Sequence, residues 1–151
     1  MRIRQATLAD LDALVDGNQR LAMETEALQL PTDTLSAGVT TLLTHPEYGH
    51  YWVAEDSGVI CGQLMITFEW SDWRNGLLWW LQSVYVWPNM RQQGVFSALL
   101  TQVMDDAKRI GIPEIRLYAE VANTVAHRAY ARHGFTSGHY GVHCKVLTPT
   151  F

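Results

Sequence analysis

Gln82-Ser83-Val84-Tyr85-Val86-Trp87-Pro88-Asn89-Met90-Arg91-Gln92-Gln93-Gly94-Val95-Phe96-Ser97-Ala98-Leu99-Leu100 is the stretch from which the rest of this chain is best read. An apolar strand runs into a basic, glycine-containing loop, and the loop runs straight into a helix. The first amides of a helix have no intrahelical partner, and they add to the helix dipole, so such a junction can hold an anion. Gly94 allows the backbone to approach a phosphate closely, and Arg91 places a charge at the mouth. Taken alone, the same pattern also describes an ordinary strand-to-helix connection.

Downstream, Gly94–Gly111 reads as the clearest helix, with Phe96, Leu99, Leu100, Val103, Met104, Ala107 and Ile110 on one side and a glycine at its end. Upstream, Leu77–Val86 is apolar on both faces, as a central strand covered on two sides should be. Tyr51–Glu55 and Val59–Phe68 flank an Asp56-Ser57-Gly58 turn and form a hairpin. Arg2–Ala6 opens the chain as a short strand, and Thr7 to Asp10 signals a helix start. Leu11, Leu14, Val15, Leu21 and Ala22 recur at helical spacing to about Thr25, and a second helix runs from Thr32 to His45. Glu114–Glu120 follows as a strand, Asn123–His133 as a short helix ended by Gly134, and Tyr140–Leu147 as a closing strand. The predicted order is βααβββαβαβ, an α/β fold with a mixed, mostly antiparallel sheet flanked by helices. No repeat or linker divides it, so residues 1–151 read as one domain.

The second informative segment is Asn123-Thr124-Val125-Ala126-His127-Arg128-Ala129-Tyr130-Ala131-Arg132-His133-Gly134-Phe135. With it the chain resembles the GNAT (GCN5-related N-acetyltransferase) superfamily, whose pattern couples an Arg/Gln-x-x-Gly-x-Gly/Ala loop to a downstream Asn-x-x-Ala-x-x-x-Tyr-x-x-x-Gly-Phe helix. Both parts occur in the right order, and the resemblance spans nearly the whole chain. One position departs: where Gly or Ala is usual the loop has Phe96, as in a bacterial subgroup with a Gly-Val-Phe loop, and Phe96 is expected to turn into the core.

The resemblance implies acetyl-CoA as cofactor and transfer of its acetyl group to an amine in a ternary complex. Its pyrophosphate would lie on Arg91, Gln92, Gln93, Gly94, Val95, Phe96 and Ser97, and its pantetheine along Val84-Tyr85-Val86. The strands Leu77–Val86 and Glu114–Glu120 would splay to make the cleft. Asn123 would touch the pantetheine or thioester end, and the Tyr130 phenol would sit near the sulfur.

Proton accounting then asks for two groups. An alkylammonium of pKa ~10.4 must lose a proton before it attacks, and a departing thiolate, the conjugate base of a thiol of pKa ~8.5, must gain one. Tyr130 is the candidate acid, and the Val84 amide the candidate donor to the thioester carbonyl. The base is open: Leu77–Val86 carries no Glu, which leaves Glu24, Glu26, Glu69, Asp72 and Glu120, or a water held by one of them, with Glu24 and Glu26 at the end of the first helix. Trp70, Asp72 and Trp73, with Gln82 and Glu120, are candidate acceptor-binding residues; Trp faces suit a flat or cationic amine. The same tryptophans can equally fill the core.

Composition excludes several alternatives. A net charge of −4 supplies no basic footprint for nucleic acid. No stretch reaches the ~20 apolar residues of a membrane span, and the amino terminus lacks a secretory h-region, which makes a cytoplasmic enzyme the expectation. Cys61 and Cys144 lack CxxC spacing and read as buried thiols. His127 and His133 do not share a helix face, and His139 and His143 would stand ~13 Å apart along a strand, so no metal is expected. The dinucleotide fingerprint and the P-loop lysine are both missing. Two open matters remain: the acceptor, a small-molecule or peptide amine with a small cationic one favoured, and the alternative of a non-catalytic acyl-CoA-binding regulatory module. The apolar last strand also offers a surface for a homodimer.

Overall fold

A computed structural model describes residues 1–149. It divides into two compact units, one of Met1–Leu117 and a smaller one from Tyr118 onward.

The larger unit holds β1 (Arg2–Gln5), α1 (Leu11–Glu26), α2 (Thr32–Thr44), β2 (Gly49–Asp56), β3 (Val59–Ser71), β4 (Gly76–Val86), α3 (Val95–Arg109) and β5 (Ile115–Arg116). The five strands lie in sequence order across one sheet, antiparallel except for the parallel β4–β5 pair. Strand alternation explains why both faces are covered. Tyr51 and Val53 pack with Leu14 of α1 and Val39 of α2. Trp52 and Ala54 point the other way and are equally buried. On that other face α3 contributes Val95, Leu99, Leu100, Val103 and Ala107, and it approaches so closely that a Cβ on Gly62 would lie 2.6 Å from Val95 Cγ1.

Local chemistry sets the junctions. The Thr7 N–H donates to Asp10 Oδ2 at 2.8 Å, as expected of the helix start, and Arg4 bridges Asp10 and Glu55, tying β1, β2 and the entry to α1. Ser57 (φ 51°) and Gly58 (φ 81°) both take positive φ, which matches the right-handed twist of the β2–β3 hairpin.

The smaller unit contains α4 (Thr124–Arg132), whose N-cap Asn123 accepts the Ala126 N–H through Oδ1 at 3.1 Å.

Two expected strands differ. Glu114–Glu120 shortens to Ile115–Arg116, because pairing with β4 covers only Trp79↔Ile115 and Trp80↔Arg116. Tyr140–Leu147 forms no strand: Tyr140, Val142, Val146 and Leu147 are exposed, and an apolar alternation without a partner ladder leaves its backbone in water. Cys144 is consequently exposed rather than buried, whereas Cys61 is buried. Among the described residues no helix is long and apolar enough to cross a membrane.

Candidate functional site

The site in the larger unit is built around β4. Register against β3 passes from Gln82↔Met65 to Tyr85↔Gln63, so β4 spends three steps where β3 spends two, a bulge at Ser83-Val84. Ser83 takes φ 50°, a left-handed conformation unusual for a side-chain-bearing residue within a strand. The β5 ladder stops at Trp80, so Leu81–Val86 carry no β5 pairing. The β4–β5 pairing therefore ends just before the bulge.

After Val86 the chain turns through Pro88–Met90 and enters α3 by two further left-handed residues, Gln92 (φ 61°) and Gly94 (φ 79°). Gly94 is the N-cap and provides no side-chain cap. The Ala98 N–H donates to the Gly94 carbonyl at 2.9 Å, and the N–H groups of a helix's first turn are directed along its axis toward that end. Space is open where a Gly94 Cβ would stand. A helix dipole end, an N-cap without a side-chain cap and an open approach are features that suit an anion. Val95 is buried, and Phe96 and Ser97 are half-buried.

Arg91 does not stand free at the mouth. Its Nη2 donates to Glu24 Oε2 at 2.7 Å, its Nε donates to the Val86 carbonyl at 2.9 Å, and its guanidinium lies 5.4 Å from the centre of the Tyr85 ring. The Tyr85 hydroxyl donates to the other Glu24 oxygen at 2.6 Å. Desolvation would raise the Glu24 carboxyl, but the Tyr85 hydroxyl and Arg91 outweigh it and hold the group below its usual range. Burial, helped by the neighbouring Glu24 charge, pushes the Tyr85 phenol up. The C-terminal turn of α1 is thereby joined to β4 and to the loop that leads into α3. Glu26, two residues on, is exposed.

The other acceptor candidates are scattered. Trp70, Asp72 and Trp73 sit at the β3–β4 hairpin, the opposite end of β4 from Val84–Val86, with Trp73 88% exposed and Asp72 Oδ1 accepting the Trp73 N–H. Trp79 is buried against Trp52 and Phe68, and Trp80 donates to Glu69. Gln82 donates to Thr67 Oγ1 at 2.6 Å. In the smaller unit Glu120 is exposed, and its carbonyl accepts the Asn123 N–H. Tyr130 is half-buried, packs edge-on against Phe135 at 5.7 Å, and has its phenol pushed up by burial. Among the described residues no three His, Cys, Asp or Glu side chains cluster closely enough to hold a metal ion.

Sequence reasoning missed the polar residues beneath the bulge. Gln63 is fully buried and donates to the Ser83 carbonyl at 3.3 Å, while Asn18 donates to the Tyr51 hydroxyl at 3.1 Å. A lone glutamine inside the apolar run of β3 was the available signal.

The chain is similar to known proteins over most of its length. The model of the Acetyltransferase (GNAT) family matches residues 18–135. Aminoalkylphosphonate N-acetyltransferase of Salmonella typhimurium is 25% identical over 138 residues, which is 91% of this chain and 86% of that protein. The crystal structure of "a possible acetyltransferase" from Clostridium difficile superimposes with a TM-score of 0.92 at 35% identity, covering 98% of both chains. A "predicted acetyltransferase with acetyl-CoA" from Clostridium acetobutylicum shares the fold, with a TM-score of 0.80 at 21% identity and coverage of 97% and 96%. GNAT acetyltransferases use acetyl-CoA. The left-handed loop leading into an uncapped helix and the match across residues 18–135 lead to one conclusion: this chain belongs to the GNAT family and is an acyltransferase.

Proposed function

We propose that this chain acetylates the primary amine of a small molecule, using acetyl-CoA in a ternary complex, and that residues 1–151 act as one catalytic domain. The family match crosses the boundary near Leu117 between the two compact units, which supports the single-domain reading. The observation that carries the proposal is the continuous run from the bulged, β5-free part of β4 through left-handed Gln92 and Gly94 into the bare end of α3.

The residues present fit the cofactor. Val84, Tyr85 and Val86 offer backbone groups to the pantetheine amides, and the amides of Gln92–Ser97 with open space above Gly94 suit a diphosphate. Arg91 supplies a cation there once it exchanges Glu24 for phosphate. Acetyl-CoA supplies the activated acyl group as a thioester.

The chain's own residues then handle charge and protons. The amine nitrogen bonds to the acyl carbon as the carbon–sulfur bond breaks, giving an amide and a thiol. Val84 N–H donates to the acyl oxygen as negative charge builds there. Glu24, directly or through a water, accepts the proton lost by the ammonium, and its oxygens attract that cation beforehand. Glu26 lies on the same acceptor side. The Tyr130 phenol, kept protonated by burial, donates to the departing sulfur, with Asn123 beside it. Gln82, Glu120, Trp70, Asp72 and Trp73 are further acceptor-side candidates.

Aminoalkylphosphonates head the acceptor list, because the Salmonella relative is named for them. The test begins with thermal unfolding plus acetyl-CoA: saturation at ~100 Kd should add about 2.7 kcal/mol, and no shift refutes the cofactor assignment. An acceptor screen then follows release of the CoA thiol. Tyr130→Phe should keep the acetyl-CoA shift and lose ~10²–10⁴ in rate. A wild-type protein that binds acetyl-CoA and releases no thiol with any amine would establish the regulatory module instead.

A further inference from the structure

Beneath the β4 bulge lies a polar assembly that neither the proposed cofactor site nor the proposed proton path uses. Gln63 of β3 is 0% exposed, and its Nε2 donates to the Ser83 carbonyl at 3.3 Å. Its Oε1 is buried and has no hydrogen-bond partner among the described residues. It faces Gly17 of α1, where even a methyl group would come within 2.2 Å of that oxygen. Tyr51 of β2 accepts from Asn18, which also donates to the Leu14 carbonyl at 2.8 Å. Gln63 thus reaches from β3 to the carbonyl of left-handed Ser83.

A buried acceptor without a partner is destabilising, and a methionine or leucine of similar volume would not suffer it. Stability therefore gives no reason for a glutamine here. Geometry does. The C=O of Ser83 and the N–H of Val84 belong to one planar trans peptide and point in opposite directions. Fixing that carbonyl on Gln63 fixes the Val84 N–H on the side away from Gln63, next to Ser83, whose φ of 50° would otherwise relax toward ordinary strand values.

We propose that Gln63 is a positioning residue for acyl transfer: by holding the Ser83 carbonyl it aims the Val84 N–H at the acyl oxygen of the thioester. This rests on the reading above that Val84 is the donor to that oxygen. The donor matters most as charge develops, so its misdirection lowers kcat and leaves cofactor binding alone.

The test uses the full chain with Gln63→Met and Gln63→Leu, measuring thermal unfolding, the acetyl-CoA-induced shift, and kcat and KM with an amine found in the screen. Expected are an unfolding temperature equal to or above wild type, an unchanged acetyl-CoA shift, a KM for acetyl-CoA within about twofold, and a kcat lower by about tenfold to a hundredfold. Gln63→Glu, whose buried carboxyl stays protonated and can donate its O–H to Ser83, should recover most of the rate. Wild-type kcat in both apolar variants overturns the proposal. So does a parallel loss of stability, cofactor binding and rate, or failure to fold, since each would make Gln63 structural. If wild type neither binds acetyl-CoA nor turns over, the functional reading itself has failed, a result separate from unaltered turnover in Gln63→Met.

Discussion

Adding one methyl group at Gly62 tests whether the close approach of α3 to β3 sets the proposed cofactor site. Gly62 pairs with Ala54 and Val86 at the centre of the sheet. A Cβ there would lie 2.6 Å from Val95 Cγ1 and 3.1 Å from Leu99 Cδ1, both distances inside van der Waals contact. Neither neighbour can yield cheaply, because Val95 is 2% and Leu99 0% exposed and the valine is stiff at χ1. Overpacking of this kind costs about 1–3 kcal/mol. At ~2–4 °C per kcal/mol for a chain of this size, Gly62→Ala should unfold roughly 2–12 °C below wild type. Relief comes by moving the first turn of α3, and Val95 is its first residue. The stabilisation by acetyl-CoA should therefore shrink as well. Gly38→Ala is the control: it lies in α2 with nothing within 4 Å of its Cβ position, and should gain ~0.5–1 kcal/mol through helix propensity. Thermal scans of all three proteins with and without acetyl-CoA give the answer. Unfolding of Gly62→Ala at or above the wild-type temperature refutes the packing claim. A normal cofactor shift on a lowered baseline refutes the link from packing to the proposed cofactor site.

Further outcomes follow from the charged groups. In Glu24→Gln, Arg91 loses its carboxylate and becomes available to phosphate, so the KM for acetyl-CoA should fall up to ~5-fold, the range of an exposed ion pair, while kcat drops by ~10²–10⁴ if Glu24 takes the proton; initial-rate kinetics separate the two, and weaker cofactor binding contradicts the exchange. Asp10 is held below its ordinary value of 3.8, first by the Arg4 hydrogen bonds and against the pull of burial. A depressed carboxyl contributes stability that is complete above its unfolded value and lost as pH falls through its folded value. Unfolding temperature should thus decline as pH drops below ~3.8, and Asp10→Asn, weaker by roughly 1–3 kcal/mol at neutral pH through the lost charged hydrogen bonds, should show less of that decline. An unchanged acid limb in the variant would remove Asp10 from the account.

Much of the fold lay in local signals. Thr7 and Asp10 marked the start of the first helix, Ser57-Gly58 the hairpin, Gly94 and Gly111 the limits of α3, and Asn123 and Gly134 those of α4. Each works through backbone conformation or a capping bond within a few residues, and such chemistry is written in sequence. The bulge was not, since Ser83 adopts positive φ without the glycine that would have announced it. The side chain that meets it is distant in sequence: Gln63, 20 residues away, donates to the Ser83 carbonyl. Strand length escaped for a similar reason, because β5 ends where its partner turns away, and Tyr140–Leu147 has the alternation of a strand without a ladder to join. Within the candidate site, the loop-to-helix junction was readable from Gly94, but the ion pair that occupies Arg91 joins residues 67 apart in sequence. Clustering tryptophans near Asp72 in sequence said little about space, since alternate residues of a strand face opposite ways and the hairpin lies a strand's length from the bulge.

The part of β4 beyond Trp80 has a further consequence for handling the protein. Backbone donors and acceptors along a strand edge that has no β partner are a template on which an extended chain can build, and association through them is a route to aggregates. Here the kink at Ser83 and the proline two residues past Val86 keep that template short and twisted. A bound pantetheine arm would mask the same groups. Concentrated stocks should therefore keep longer with CoA present than without it, and light scattering over days would register the difference.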